Sequence, residues 1–131
     1  MKESEVINEF ERLSSLMYQS GIGKDVVKHN QAIKKLNRLC MQMSHDDKEL
    51  VYPKLLLSNN EKTRINAASY CLLENMMMTE AVFELRKALE ESKNEQCRVT
   101  AGVAIRLWES HHLKQKAYLQ YQGDDSNDNL I

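Results

Sequence analysis

Asn60-Glu61-Lys62-Thr63-Arg64 returns as Asn94-Glu95-Gln96-Cys97-Arg98, so N-E-x-x-R occurs twice, thirty-four positions apart. The correspondence continues past the arginine. Ile65 matches Val99, Ala67-Ala68 matches Ala101-Gly102, Cys71 matches Ile105 and Leu73 matches Leu107. A repeat of this period marks one supersecondary unit used more than once. Each part has a physical reason to sit at a helix opening. Asparagine caps, and a glutamate in the first turn suits the positive end of the helix dipole. An arginine three residues after the glutamate is placed to pair with it along the helix surface. The small pair allows a neighbouring helix to approach closely. In the segments before each copy, Val51 and Leu57 fall in register with Phe83 and Leu89.

Hydrophobic spacing extends the helical reading to most of the chain. Val6, Phe10, Leu13 and Met17 predict a first helix over 4–20, capped by Ser4. Val26, Ile33, Leu36, Cys40 and Met43 predict a second over 25–43. Ser44 caps a third, over 46–58, in which the interior Pro53 predicts a bend. The fourth to sixth helices are expected at 61–74, 80–91 and 95–118, with Met76-Met77-Met78 packing between hairpins. Four Gly and one Pro in 131 residues are too few for a turn-rich β-protein. The expectation is a single all-α domain over 1–121 and a disordered acidic tail over 122–131, carrying Asp124, Asp125 and Asp128.

Few function classes announce themselves. The chain has no glycine-rich phosphate loop, no G-x-S-x-G and no H-E-x-x-H, so catalysis is not expected. Cys40, Cys71 and Cys97 lack metal-ligand spacing and read as reduced core thiols, which points to the cytoplasm. His111 and His112 are adjacent and point about 100° apart on a helix, so they do not chelate one ion together. No cofactor and no metal are expected. No apolar run is long enough to span a bilayer, and no membrane partner is expected.

A helix, a short polar turn and a second helix opening on arginine and a small pair resemble the HEAT repeat family across roughly 46–112, including the proline at position 53. The second copy lacks that proline, and its inter-helix turn is expected to be two residues longer. The resemblance implies an α-solenoid of about six helices, stacked as antiparallel hairpins with a right-handed superhelical sense. From Ile7 to Trp108 the chain is also similar to a family of short bacterial HEAT-like domains of unknown function. The matching features are the basic stretch from Lys28-His29-Asn30 to Leu36-Asn37, the opening Arg64-Ile65-Asn66-Ala67-Ala68, and the tryptophan near the end. Members of that family resemble immunity proteins of polymorphic or contact-dependent toxin systems. The resemblance therefore implies a cytoplasmic protein that binds a cognate toxin; on its own the chain is expected to be a monomer.

The candidate partner-binding residues come from two places. Lys28, Gln31, Lys35 and Arg38 recur at spacings of three and four on the second helix, a basic stripe opposite its apolar one. Such a ridge suits an acidic protein surface or a phosphate backbone. The bland alternative is an ordinary solvated face. Asn66, Tyr70 and Trp108 complete the set, the two aromatics as candidate rigid anchors or as core packing. Two further functions stay open: a HEAT-type interaction scaffold, and a small nucleic-acid-binding domain using Lys28, Lys35, Arg38, Arg98 and Arg106.

Overall fold

The computed structural model describes residues 2–19 and 25–111; the expected helix end at 118 and the tail over 122–131 lie outside them. The described residues form six helices and no strand. They are α1 (Glu3–Gln19), α2 (Val26–Gln42), α3 (His45–Leu56), α4 (Glu61–Leu73), α5 (Met78–Glu91) and α6 (95–111). The all-α expectation holds.

The helix starts follow from local chemistry. Asp25 caps α2 by accepting from the Lys28 amide at 3.1 Å. Ser44 and Asp47 form a reciprocal capping box on α3, each side chain accepting from the other's backbone N–H. Ser4 is not a cap, because α1 already begins at Glu3. Helix α3 runs through Pro53, which costs the Glu49 carbonyl its usual helical donor. Helix α4 ends in a Schellman turn. Asn75 adopts a left-handed φ of 55°, and the amides of Met76 and Asn75 return to the carbonyls of Cys71 and Leu72. Helix α5 therefore starts at Met78, two residues before expectation, and Met76, Met77 and Met78 all pack against the core.

The two N-E-x-x-R segments open α4 and α6, and their turns share the same hydrogen bonds. Asn60 Oδ1 accepts from the Lys62 amide and Asn94 Oδ1 from the Cys97 amide, each at 3.0 Å. Ser58 Oγ accepts from Asn60 N–H, and Ser92 Oγ from Asn94 N–H, each at 3.1 Å. Arg64 Nη1 donates to the Ser58 carbonyl at 2.7 Å, and Arg98 Nη1 to the Ser92 carbonyl at 2.6 Å. The expected Glu61–Arg64 pair along the helix is replaced by this link and by a bond from Arg64 Nε to Glu84 on α5 at 2.6 Å. Closing the turn gives the guanidinium a fixed carbonyl and a carboxylate whose side chain is only 15% exposed. The second inter-helix turn is not longer: α5 ends at Glu91 and α6 begins at residue 95.

Helix α4 occupies the centre, packed on α1, α3 and α5. Thr63, Ile65, Asn66, Ala67, Ala68, Cys71 and Leu72 are all buried, which explains why no single apolar stripe dominates it. The small pair behaves as expected in position, with Ala67, Ala68 and Ala101 fully buried. Gly102, however, leaves ordinary room for a methyl group, the nearest atom being Leu89 Cδ1 at 3.4 Å.

Helix α1 does more than pair with α2. It packs on both α3 and α4 and is tied to the first repeat turn by Ser58 Oγ to Glu11 at 2.8 Å and Asn60 Nδ2 to Ser15 Oγ at 3.1 Å. Helix α2 buries Ala32, Leu36 and Cys40, and Met43, just past its end, is also buried. Val26, expected on that face, is 65% exposed at the first position of the helix.

Candidate functional site

Lys28, Gln31, Lys35 and Arg38 are all exposed on α2. Their spacing puts them along one side of the helix, from about 80° (Lys28) to about 160° (Arg38) away from the middle of the buried Ala32–Leu36–Cys40 line. Between Val26 and Gln42 the helix has Lys28, Lys34, Lys35 and Arg38 and no acid. Among the described residues, no ion pair engages any of these four cations. Other cations are neutralised within the fold, as in Lys48–Glu74 at 2.5 Å, Arg64–Glu84 at 2.6 Å and the Lys54–Glu3 contact. One acid borders the ridge. Glu9 on α1 is held below the usual carboxylate range mainly by its hydrogen bond from Arg12, with the charge of Lys35 adding to the effect. The ridge therefore has one acidic flank and otherwise faces solvent.

The other three candidates do not join it. Asn66 is buried at 4% exposure and donates through Nδ2 to Ser14 Oγ at 3.0 Å. Its Oδ1 accepts from the Tyr18 hydroxyl at 3.4 Å. Its amide holds α1 to α4 and has no surface to offer a partner, which corrects the expectation of a binding residue. Tyr70 is half-buried, its ring edge-on to Phe10 at 6.0 Å and its hydroxyl donating to Asn37 Oδ1 on α2 at 2.5 Å. Burial raises its phenol pKa above the ordinary value. Trp108, also half-buried, packs against the core on α6 and lines a separate groove.

That groove was not anticipated. It lies between α4 and α6, has a volume of about 640 Å³, and is walled by Leu72 and Leu73 on one side and Val99, Val103, Leu107 and Trp108 on the other. Leu73 and Leu107 are 75% and 65% exposed. The sequence held a signal for it: Val99, Val103 and Leu107 recur every four residues, a second apolar line beside the Cys97–Ala101–Ile105 stripe.

The remaining chemistry is structural. Cys40, Cys71 and Cys97 are free and buried, and burial pushes their thiols up to about 11, about 12 and about 11, so they stay protonated near neutral pH. Among the described residues, no group of His, Cys, Asp and Glu is arranged to hold a metal ion, and no helix is long and apolar enough to cross a membrane. Comparison with family models, with curated proteins and with solved structures returns no match.

Proposed function

We infer that this chain is a binding module that docks an acidic protein surface on the α2 ridge, and that it serves as a cytoplasmic immunity protein blocking the active site of a cognate bacterial toxin domain. The observation that carries the reading is the α2 ridge itself: four cations on one helix, three of them in line with Gln31, without an acid on that helix and without an ion pair among the described residues. Charge left unpaired on a rigid helix costs the free protein little and speeds encounter with a complementary surface. The toxin as partner comes from the resemblance of the Lys28–Asn37 and Arg64–Ala68 segments to immunity-like HEAT domains. A nucleic-acid phosphate backbone is the competing partner for the same ridge, and salt dependence separates the two.

The test is co-expression with the product of the neighbouring gene, followed by binding measurements on the purified pair. A stable complex and restored growth are expected. The triple variant Lys28→Glu/Lys35→Glu/Arg38→Glu is expected to weaken binding on the order of 100-fold, about 3 kcal/mol, while its thermal midpoint stays close to that of the parent. A neighbouring product that is harmless, or that stays toxic in the presence of this chain, sinks the immunity reading. Undiminished binding by the triple variant sinks the ridge.

A further inference from the structure

Beside the basic ridge, α2 carries a second row of exposed residues. Val27, Gln31, Lys34, Arg38 and Met41 follow one another at spacings of four, three, four and three, and all five are exposed. That alternation is the one by which a helix offers a seam to another helix. At about 100° per residue, the row points roughly 180° away from Leu36, the middle of the buried line. Its two ends are apolar, yet Val27 is 66% exposed and Met41 83% exposed. They stand fourteen residues apart, about 21 Å along the helix axis. The middle of the row is Gln31, Lys34 and Arg38. Lys28 and Lys35, each one residue after a member of the row, occupy the flank where paired helices meet each other's charges. The face is therefore apolar at both ends and cationic in the middle and along one edge.

We propose that this face takes one acidic amphipathic helix of a partner protein, laid lengthwise along α2. Its apolar side chains cover Val27 and Met41, and its carboxylates meet Lys34, Lys35 and Arg38. The inference rests on the reading of α2 as a protein-docking ridge and specifies what docks there. Charge complementarity selects the occupant, because α2 holds four cations and no acid. A second copy of the chain is disfavoured: α2 laid in register on α2, in either direction, brings Lys34 onto Lys34 with no acid on either helix to offset it. A phosphate backbone would satisfy the lysines and Arg38 but offers nothing apolar to Val27 and Met41. An amphipathic helix satisfies both kinds of side chain, reading the seam through apolar anchors at seven-residue multiples.

The experiment measures fluorescence anisotropy of two labelled three-heptad peptides titrated with the full chain. One is a glutamate-rich helix with leucine at the seam positions, and the other has glutamine in place of each leucine. The leucine peptide is expected to bind roughly tenfold more tightly, as its side chains cover Val27 and Met41. Val27→Ser/Met41→Ser is expected to abolish that advantage while leaving the glutamine peptide's affinity unchanged. Both positions are already exposed, so the variant's thermal midpoint should match the parent's. Val26→Ser is the control: Val26 is 65% exposed but lies about 100° round the helix from Val27, and neither affinity should change. Equal affinity for the two peptides, or a leucine advantage that survives Val27→Ser/Met41→Ser, overturns the seam and leaves the basic ridge standing. Failure of both peptides to bind at low salt removes the ridge reading as well. A DNA duplex that binds more tightly than the leucine peptide at equal ionic strength overturns the proposal in favour of nucleic acid. So does a dimer of the free chain that Val27→Ser/Met41→Ser dissociates in sedimentation equilibrium, because the occupant would then be a second copy.

Discussion

Phe10→Ala is expected to lower the free energy of unfolding by about 3–5 kcal/mol, the range for truncating a fully buried aromatic. Phe10 is 0% exposed and sits where α1 crosses α4, its ring edge-on to Tyr70 at 6.0 Å. The substitution empties a site bounded by two helices that other contacts hold in place, so collapse cannot refill it. It also removes the aromatic edge-to-face term, worth roughly 0.5–1.5 kcal/mol beyond area. For a chain of this length the thermal midpoint should fall by roughly 10–20 °C. Circular dichroism melts decide the matter. A fall of only a few degrees would mean that α1 is a loosely attached helix rather than the cover of the second pair.

Asn66→Leu should cost about 2–4 kcal/mol for a different reason, namely the stranding of polar partners. Ser14 is 0% exposed and receives the Asn66 amide, and Tyr18 is 5% exposed and donates to its carbonyl oxygen. With leucine in place, both hydroxyls stay buried and lose a partner. The asymmetry of hydrogen-bond energetics supplies an internal control, since removing both partners of a buried bond is cheaper than removing one. The double variant Ser14→Ala/Asn66→Leu is therefore expected to be more stable than Asn66→Leu alone, by about 1 kcal/mol. Urea unfolding of the two variants measures the difference. A double variant less stable than the single one would contradict the assignment of Asn66 to the core.

Much of this fold was legible because helix periodicity and capping are local. The starts of α3, α4 and α6 follow from Ser44, Asn60 and Asn94, and the core of α1 from the spacing of Val6, Phe10 and Leu13. What stayed hidden depends on long-range packing. Asn66 reads as a surface polar residue until α1 is laid across it, and nothing local says that Ser14 will meet it. The Arg64–Glu84 pair spans two helices, so sequence spacing suggested the nearer Glu61 instead. The serines of the two turns were within reach of sequence reasoning: Ser58 and Ser92 obey the same offset, and the motif is S-x-N-E-x-x-R. Of the candidate site, the α2 stripe was legible because all four residues lie on one side of one helix. The groove was overlooked because it needs two helices side by side.

The account rests on the two S-x-N-E-x-x-R turns being the same device used twice, and paired arginine substitutions test that most directly. Arg64 binds the Ser58 carbonyl and Glu84, with its side chain 23% exposed, so Arg64→Ala is expected to cost about 2–3 kcal/mol. Arg98 makes the equivalent bond to the Ser92 carbonyl, and position 118, where the repeat would place a partner for it, is tyrosine. Arg98→Ala is therefore expected to cost about 1–1.5 kcal/mol, smaller but clearly measurable. Equilibrium unfolding that ranks parent, Arg98→Ala and Arg64→Ala in falling stability agrees with the account. An Arg98→Ala protein as stable as its parent would contradict it.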